Sequence, residues 1–526
     1  MVFDYLCSGT TISQMNTEVK QIKNSKNMKR QLLWLVTAIL LASPVLLTSC
    51  SIKDNPAPEP VVVTNPIGKA LSEMPNVHDI VKLEDTENYG FKEAYDVFFE
   101  QPVDHKNPAA GTFMQRVRVC IRDVNAPTVI WTSGYGFSYN MPIGCAATTT
   151  DLAMALGANY IEAEHRYYGD SQILTDTRWD YLTFEQAAAD FHAIIQALKP
   201  LLPKEWISTG VSKNGETSIL QNYYYPDDVD VTTAFCAPIL TSLLDIRPGR
   251  YSQQECATGT AKEIIDSHLN RLFVNGKDGL YSRYCQRAKE KMAATGRTFD
   301  LNSFEQYVYK ILDSNYATFE NNIATRYTSI LPPIDCTDDD LLNYYFAGHV
   351  KLSSQQASTR AVPYWIEDDM VNYPFAIQKA KQHGERCFDY SLYPQLEGTG
   401  FDADKLNSNP KENNPFDLFD CDLWLYDTYD NSVFIDMLQN HLPNCTKPIL
   451  LVYAKTDPWT GARVTDVNPV AKLMINPVGM HNQDINNEEN YTPEMRQEII
   501  DYIAKYVKLP EGVIRGDAEY RRTIKR

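Results

Sequence analysis

None of the 11 cysteines forms a C-x-x-C pair, which removes the commonest frame for a structural zinc site. Positive charge is also short: 67 acidic residues against 49 basic ones leave a net charge of −18. Such a chain repels nucleic acid, and most of the excess serves solubility. There is no repeat period, which excludes solenoid and propeller arrays. The apolar run from Leu32 to Leu47 is broken by Pro44 and falls short of the roughly 20 residues that a spanning helix needs. Neither apolar nor aromatic residues are scarce: 44% hydrophobic residues and 32 tyrosines imply a large folded core.

The N-terminal pattern implies export. Met28-Lys29-Arg30, the apolar run and Leu47-Thr48-Ser49-Cys50 give the basic start, apolar middle and cleavage site of a signal peptide. The last four residues resemble a bacterial lipobox, so Cys50 is the expected lipidation site and new N-terminus. Residues 1–27 precede this signal as an upstream segment. Without residues 1–49 the chain holds 44 basic and 65 acidic residues, a net charge of −21. Residues 50–68, rich in proline and polar residues, read as a tether. The expected location is a bacterial membrane, with the protein lipid-anchored at the outer membrane or facing the periplasm. Nine cysteines remain once Cys7 and Cys50 are set aside. Cys256, Cys285, Cys336, Cys387, Cys421 and Cys445 are candidates for bridges in an oxidising compartment, whereas Cys120, Cys145 and Cys236 read as buried thiols.

Hydrophobic patterning points to an α/β protein interrupted once. Tyr95–Phe99 and Phe113–Val119 suggest an entrance hairpin. Short apolar runs at Thr128–Trp131, Tyr160–Ala163, Trp206–Thr209 and Val231–Ile239 suit parallel strands buried on both faces. A capping box at Thr183-Phe184-Glu185-Gln186 opens a helix that ends before Pro200, with His192 on it as a structural residue. From 247 to 443 the strand pattern gives way to helical stretches such as Thr260–Phe273 and Phe304–Ser314. Strand character returns at Lys447–Tyr453, and a helix over Pro493–Val507 closes the pattern. The expected organisation is a hydrolase-type α/β domain in two parts, 69–246 and 444–526, with a helical cap at 247–443.

The chemistry centres on Gly210-Val211-Ser212-Lys213-Asn214-Gly215, which reads as strand, sharp turn and helix over Glu216–Tyr225. This is the layout of a nucleophile elbow, and an ordinary strand-to-helix turn with a capping serine is the simpler alternative. The pattern G-x-S-x-G asks for glycine at 214, where this chain has asparagine. The expectation is that Asn214, which tolerates a left-handed backbone, carries the turn in its place. A serine nucleophile needs a base and an orienting carboxylate, in the order Ser, Asp or Glu, His for this fold class. Asp457 follows the strand ending at Tyr453, and His481 is the only histidine beyond it. Oxyanion donors are expected from the backbone of Lys213 and of Ser133-Gly134-Tyr135-Gly136, with Tyr135 contributing the second N–H.

At this point the residues carry a resemblance. Glu164-His165-Arg166-Tyr167-Tyr168-Gly169-Asp170-Ser171 resembles a signature of the prolyl carboxypeptidase and dipeptidyl peptidase II family, and Asp457-Pro458-Trp459 resembles its acid loop. The bacterial tripeptidyl aminopeptidase family of the Streptomyces PS-10 type is more similar still, through Gly134-Tyr135-Gly136, Ala197-Leu198-Lys199-Pro200 and Gly210-x-Ser212-Lys213. The resemblance implies an α/β-hydrolase fold with a helical cap and an exported serine exopeptidase that releases di- or tripeptides from free N-termini without a cofactor. Ser212 is then nucleophile, His481 base and Asp457 its orienter. Glu164 either anchors a substrate ammonium or pairs with Arg166 or another base. Trp459 either lines the pocket or packs, and Glu397 offers a further substrate contact in a glycine-flanked loop. An esterase, or a silent peptide-binding lipoprotein on the same fold, are the alternatives.

Overall fold

Nine strands form one sheet in the order β1-β2-β3-β5-β4-β6-β7-β10-β11. The computed structural model describes residues 66–515 apart from 85, 138–150, 174–179, 294–302, 322–327, 347–381, 409–428 and 483. The described residues gather into one unit. The lipobox and Cys50 therefore lie outside the described residues, as do Cys145 and Cys421.

β1 (Val77–Lys82), β2 (Glu93–Pro102) and β3 (Thr112–Ile121) run antiparallel, and β3 is antiparallel to β5. The remaining strands are parallel: β4 (Thr128–Thr132), β5 (Asn159–Ala163), β6 (Trp206–Val211), β7 (Val231–Phe235), β10 (Ile449–Ala454) and β11 (Lys472–Asn476). β4, β5, β7 and β10 are buried along their whole length, which is why they read as continuous apolar runs rather than alternating ones. The sequence is that of an α/β-hydrolase sheet, with β6 and its turn at the centre of the parallel part.

Helices cover the sheet. α1 spans Asp151–Leu156, and α2 (Phe184–Leu198) begins where Thr183 accepts the Gln186 amide, one half of the capping box expected from the sequence, while the Gln186 side chain turns to His105 and Asp104 instead. On α2, His192 Nδ1 sits 2.7 Å from Asp228, and its ring stacks on Tyr225, a structural role. α3 (Lys213–Tyr224) starts three residues earlier than its propensity suggested.

Between β7 and β10 the chain leaves this sheet. α4 (Gly259–Phe273), α5 (Leu280–Ala293) and α6 (Phe304–Asn321) pack around a separate core. Tyrosines are prominent in it: Tyr307 meets Tyr281 and Tyr284 edge-on with ring centroids 5.2 and 5.1 Å apart. Edge-to-face contacts of this kind add to area burial. A two-strand pair, β8 (Leu244–Asp245) with β9 (Glu385–Arg386), ties the start of the insertion to its later part. Beyond β11, α7 (Pro493–Ile503) packs under the sheet.

Two expectations need correction. Cys256, Cys285, Cys336, Cys387 and Cys445, the described candidates for bridges, are free thiols, as are Cys120 and Cys236. The cap is held by aromatic packing and ion pairs such as Arg271–Asp338 and Arg386–Asp313 instead. The helix expected to stop at Ser314 continues to Asn321, because Tyr316, Ala317 and Phe319 prolong its buried face. Among the described residues, no helix is long and apolar enough to cross a membrane.

Candidate active site

Ser212 stands between β6 and α3 with φ 60° and ψ −132°. A side chain rarely adopts a positive φ without support from its surroundings, and such strain gathers at functional turns. The support is close packing. A Cβ on Gly210 would lie 2.3 Å from the main-chain carbon and oxygen of Asn214, so only glycine lets β6 approach the first turn of α3.

The strained residue is thus the serine itself, and this corrects the expectation for Asn214. Asn214 is helical, and its side chain has another task. Its Oδ1 accepts the Gly134 amide at 2.7 Å. Lys213, buried at 1% exposure, donates from Nζ to the Gly134 carbonyl and, at 3.2 Å, to the Tyr168 hydroxyl. Its ammonium also lies over the rings of Tyr135 and Tyr168, at 4.5 and 4.9 Å. The loop after β4 is therefore gripped on both sides of Gly134 by the two residues that follow the serine, bringing Tyr135 against Lys213. Restoring the motif by Asn214→Gly should do harm. It leaves a buried N–H without its acceptor, at about 1–3 kcal/mol. The melting temperature should fall and kcat on a peptide anilide should drop about tenfold or more; a faster enzyme would refute the clamp.

Asp457 follows β10 and is fully buried. Its Oδ1 accepts the Trp459 amide at 3.0 Å, and its Oδ2 lies 2.8 Å from His481 Nδ1. The loop after β11 that carries His481 is tied to the acid loop by Thr456 Oγ1, which donates to the Gly479 carbonyl at 2.5 Å. Ser212, Asp457 and His481 thus follow β6, β10 and β11, all at the carboxyl ends of parallel strands, where ligands of open α/β sheets bind. β7 links them. The Ser212 amide donates to Phe235 O at 2.9 Å, and the next residue, Cys236, points its thiol at the carbonyls of Met480 and Asn482 on either side of His481. Cys236, Asp457 and His481 present ligand-type atoms within 4.8 Å of one another. The direct Asp457–His481 hydrogen bond already occupies an atom of each, which marks an acid–base pair beside a thiol.

Burial alone would depress the His481 pKa. The charge and hydrogen bond of Asp457, with the charge of Glu320, outweigh it and raise the pKa to about 9. Glu320, on α6, is a residue the sequence reading missed. Its Oε1 is 3.8 Å from His481 Nε2, and its main-chain oxygen accepts the His481 amide at 3.1 Å. The apolar periodicity through Tyr316 and Phe319 was the available signal that the helix extends this far.

The other candidates fall elsewhere. Glu164 is buried, and its oxygens accept from the Phe137 and Asp170 amides and the Ser171 hydroxyl at 2.8–3.0 Å. Burial lifts its pKa to about 7 against those bonds. Its role is to join two loops, not to pair with Arg166, which binds Asp190 instead. Trp459 is buried against the cap, its ring edge-on to Tyr316 at 5.4 Å. Glu397 is exposed beyond a short turn and makes none of the contacts gathered around His481. A separate cavity of about 510 Å³ beside the acid loop is lined by Arg247, Arg250, Lys455 and Arg463 and does not include the three residues.

Comparisons with known proteins find likenesses among peptidases. The family described as PS-10 peptidase S37 matches residues 69–321. A prolyl tri/tetrapeptidyl aminopeptidase of Streptomyces mobaraensis is 26% identical over 69% of this chain and 69% of its own length. The human lysosomal Pro-X carboxypeptidase is 31% identical over 27% of this chain, which spans about a third (32%) of that relative's length. A solved structure, proline iminopeptidase of Mycobacterium smegmatis, overlaps 80% of this chain and 100% of its own at 13% identity, with a TM-score of only 0.36. With that match, the aminopeptidase relative and the fold in hand, the chain is similar to the PS-10 peptidase S37 family over residues 69–321 and is a serine peptidase.

Proposed function

We propose that this chain is an exported, lipid-anchored exopeptidase that removes di- or tripeptides from free N-termini through an acyl-enzyme. The observation that carries the reading is the 2.8 Å bond between His481 Nδ1 and buried Asp457, set across β7 from a serine at a strained elbow. Ser212 Oγ attacks the scissile carbonyl as His481 Nε2 takes its proton, and Asp457 holds the proton on Nδ1. The oxyanion is received by the amides of Lys213, the first residue of α3, and Tyr135. His481 returns its proton to the leaving amine, and water repeats the cycle on the ester. This chemistry needs no cofactor. Release from a free N-terminus is supported by the aminopeptidase relative, and anchoring at Cys50 by the lipobox.

The test uses the chain truncated after Cys50, a fluorophosphonate probe, and peptide anilides with free or blocked N-termini, with Ser212→Ala as the blank. Labelling of Ser212 and cleavage of free peptides alone are expected. Equal cleavage of blocked peptides would sink the aminopeptidase; absence of labelling would leave a binding protein. In cells, Cys50→Ala should move the full chain from the membrane to the soluble fraction.

A further inference from the structure

The mechanism assigns Asp457 to one nitrogen of His481, and the other nitrogen faces Glu320. Glu320 is the penultimate residue of α6. Its carboxylate lies 3.8 Å from Nε2, and the two side chains are 22% and 11% exposed. The arrangement is fixed at the main chain too, since the His481 amide donates to the Glu320 carbonyl at 3.1 Å. That carbonyl belongs to the last turn of a helix, which carries partial negative charge. The Trp459 side chain, on the acid loop, favours the ionised carboxylate.

Nε2 is the atom that must be bare to receive the serine proton. A carboxylate against it favours the opposite state, an imidazolium protonated on both nitrogens. The neighbouring groups leave that bias intact. Asp457 from the loop after β10 adds a second negative charge. Arg386 from β9 opposes it, yet it is already engaged by Asp313 on α6 and by Glu385, and it lies over the ring of Tyr316. Cys236, at the end of β7, is held neutral, first by burial and then by Asp457. Burial raises the pKa of Glu320, with the charges of His481 and Arg386 pulling it back.

We propose that Glu320 is a positioning residue through which the cap sets the protonation state of the base: it keeps Nε2 of His481 protonated in the free enzyme and delays serine reactivity to alkaline pH. In the resting state Ser212 keeps its hydrogen, His481 holds two ring protons and Glu320 is ionised; the base becomes competent when the Nε2 proton leaves to solvent. The proposal rests on the triad reading above.

The test is the rate of Ser212 labelling by an uncharged fluorophosphonate from pH 5.5 to 10, on the parent, Glu320→Gln and Glu320→Asp. The parent rate should climb until about pH 9. In Glu320→Gln the rise should move at least one pH unit lower, with labelling at pH 7 about tenfold faster, and Glu320→Asp should stay near the parent. A uniformly slower Glu320→Gln with an unmoved profile would reduce Glu320 to a structural contact and overturn the proposal. Should the variants not fold, low-field proton NMR of the parent decides. Both ring N–H signals of His481 should persist beyond pH 7.5, and loss of one at or below pH 6.5 would overturn it. Labelling that survives Ser212→Ala would sink the triad instead, and the NMR titration would still test Glu320.

Discussion

Asp457→Asn is expected to lower kcat about 10⁴-fold while leaving the fold intact. The size of the effect follows from what each carboxylate oxygen does. Oδ1 accepts the Trp459 amide at 3.0 Å, and Oδ2 faces His481 Nδ1 at 2.8 Å. An asparagine must keep its carbonyl oxygen toward the Trp459 N–H, so its NH₂ turns to Nδ1. The imidazole then accepts at Nδ1 and carries its proton on Nε2, the tautomer that cannot take the serine proton. Loss of the charge has a second consequence. Asp457 is the leading influence that opposes burial in lifting the His481 pKa to about 9, so the residual activity should begin at lower pH. The sign also holds for stability. A raised folded-state pKa contributes stability that is complete below the unfolded value of about 6.5 and is lost as pH rises through about 9. The variant should therefore lose its advantage on the acid side of that window. Peptide-anilide kinetics with a melting curve at pH 6 and pH 9 check this; a kcat within tenfold of the parent would remove Asp457 from the orienting role.

Gly210→Ala should be the most damaging small substitution in the sheet. Its Cβ would meet Asn214 main-chain atoms at 2.3 Å, and these cannot turn aside as a flexible side chain does. Either β6 or the first turn of α3 must move. That turn carries Ser212, Lys213 and the Asn214 grip on Gly134, so stability and activity should fall together. Overpacking against backbone costs about 3 kcal/mol or more, enough to send much of the protein to the insoluble fraction. Gly398→Ala is the control. Gly398 has φ +72° but nothing within 4 Å of its Cβ position, so only the backbone penalty of about 1–2 kcal/mol applies. Chemical denaturation of both should separate them; equal midpoints would mean that the elbow relaxes more freely than its packing implies.

The roles of Asn214 and Glu320 mark where local reading ends. The G-x-S-x-G pattern treats position 214 as a backbone problem. In the folded chain it is a side-chain problem, because Asn214 bonds an amide 80 positions earlier. Glu164 was read as a possible ammonium anchor or partner of Arg166, and three donors from two loops occupy it instead. Glu320 lies outside the helix that the apolar pattern to Ser314 predicts, because α6 runs about two turns further, to Asn321.

What the sequence determined by itself was the order and type of the parts: short apolar strands at α/β spacing, a capped helix, a serine in a strand-to-helix turn, and an aspartate and a lone later histidine in the loops of the returning strands. These are short-range signals, set by side-chain periodicity and turn chemistry within a dozen residues. Tertiary structure alone decided which groups meet: Asn214 with Gly134, Cys236 with the carbonyls flanking His481, and Glu320 with His481. The first two depend on how the loops at the carboxyl ends of the strands converge; the third depends on how a separate helical core seats its α6 beside them, and on burial, which turns an ordinary carboxylate a few ångströms from an imidazole into a strong influence on its proton.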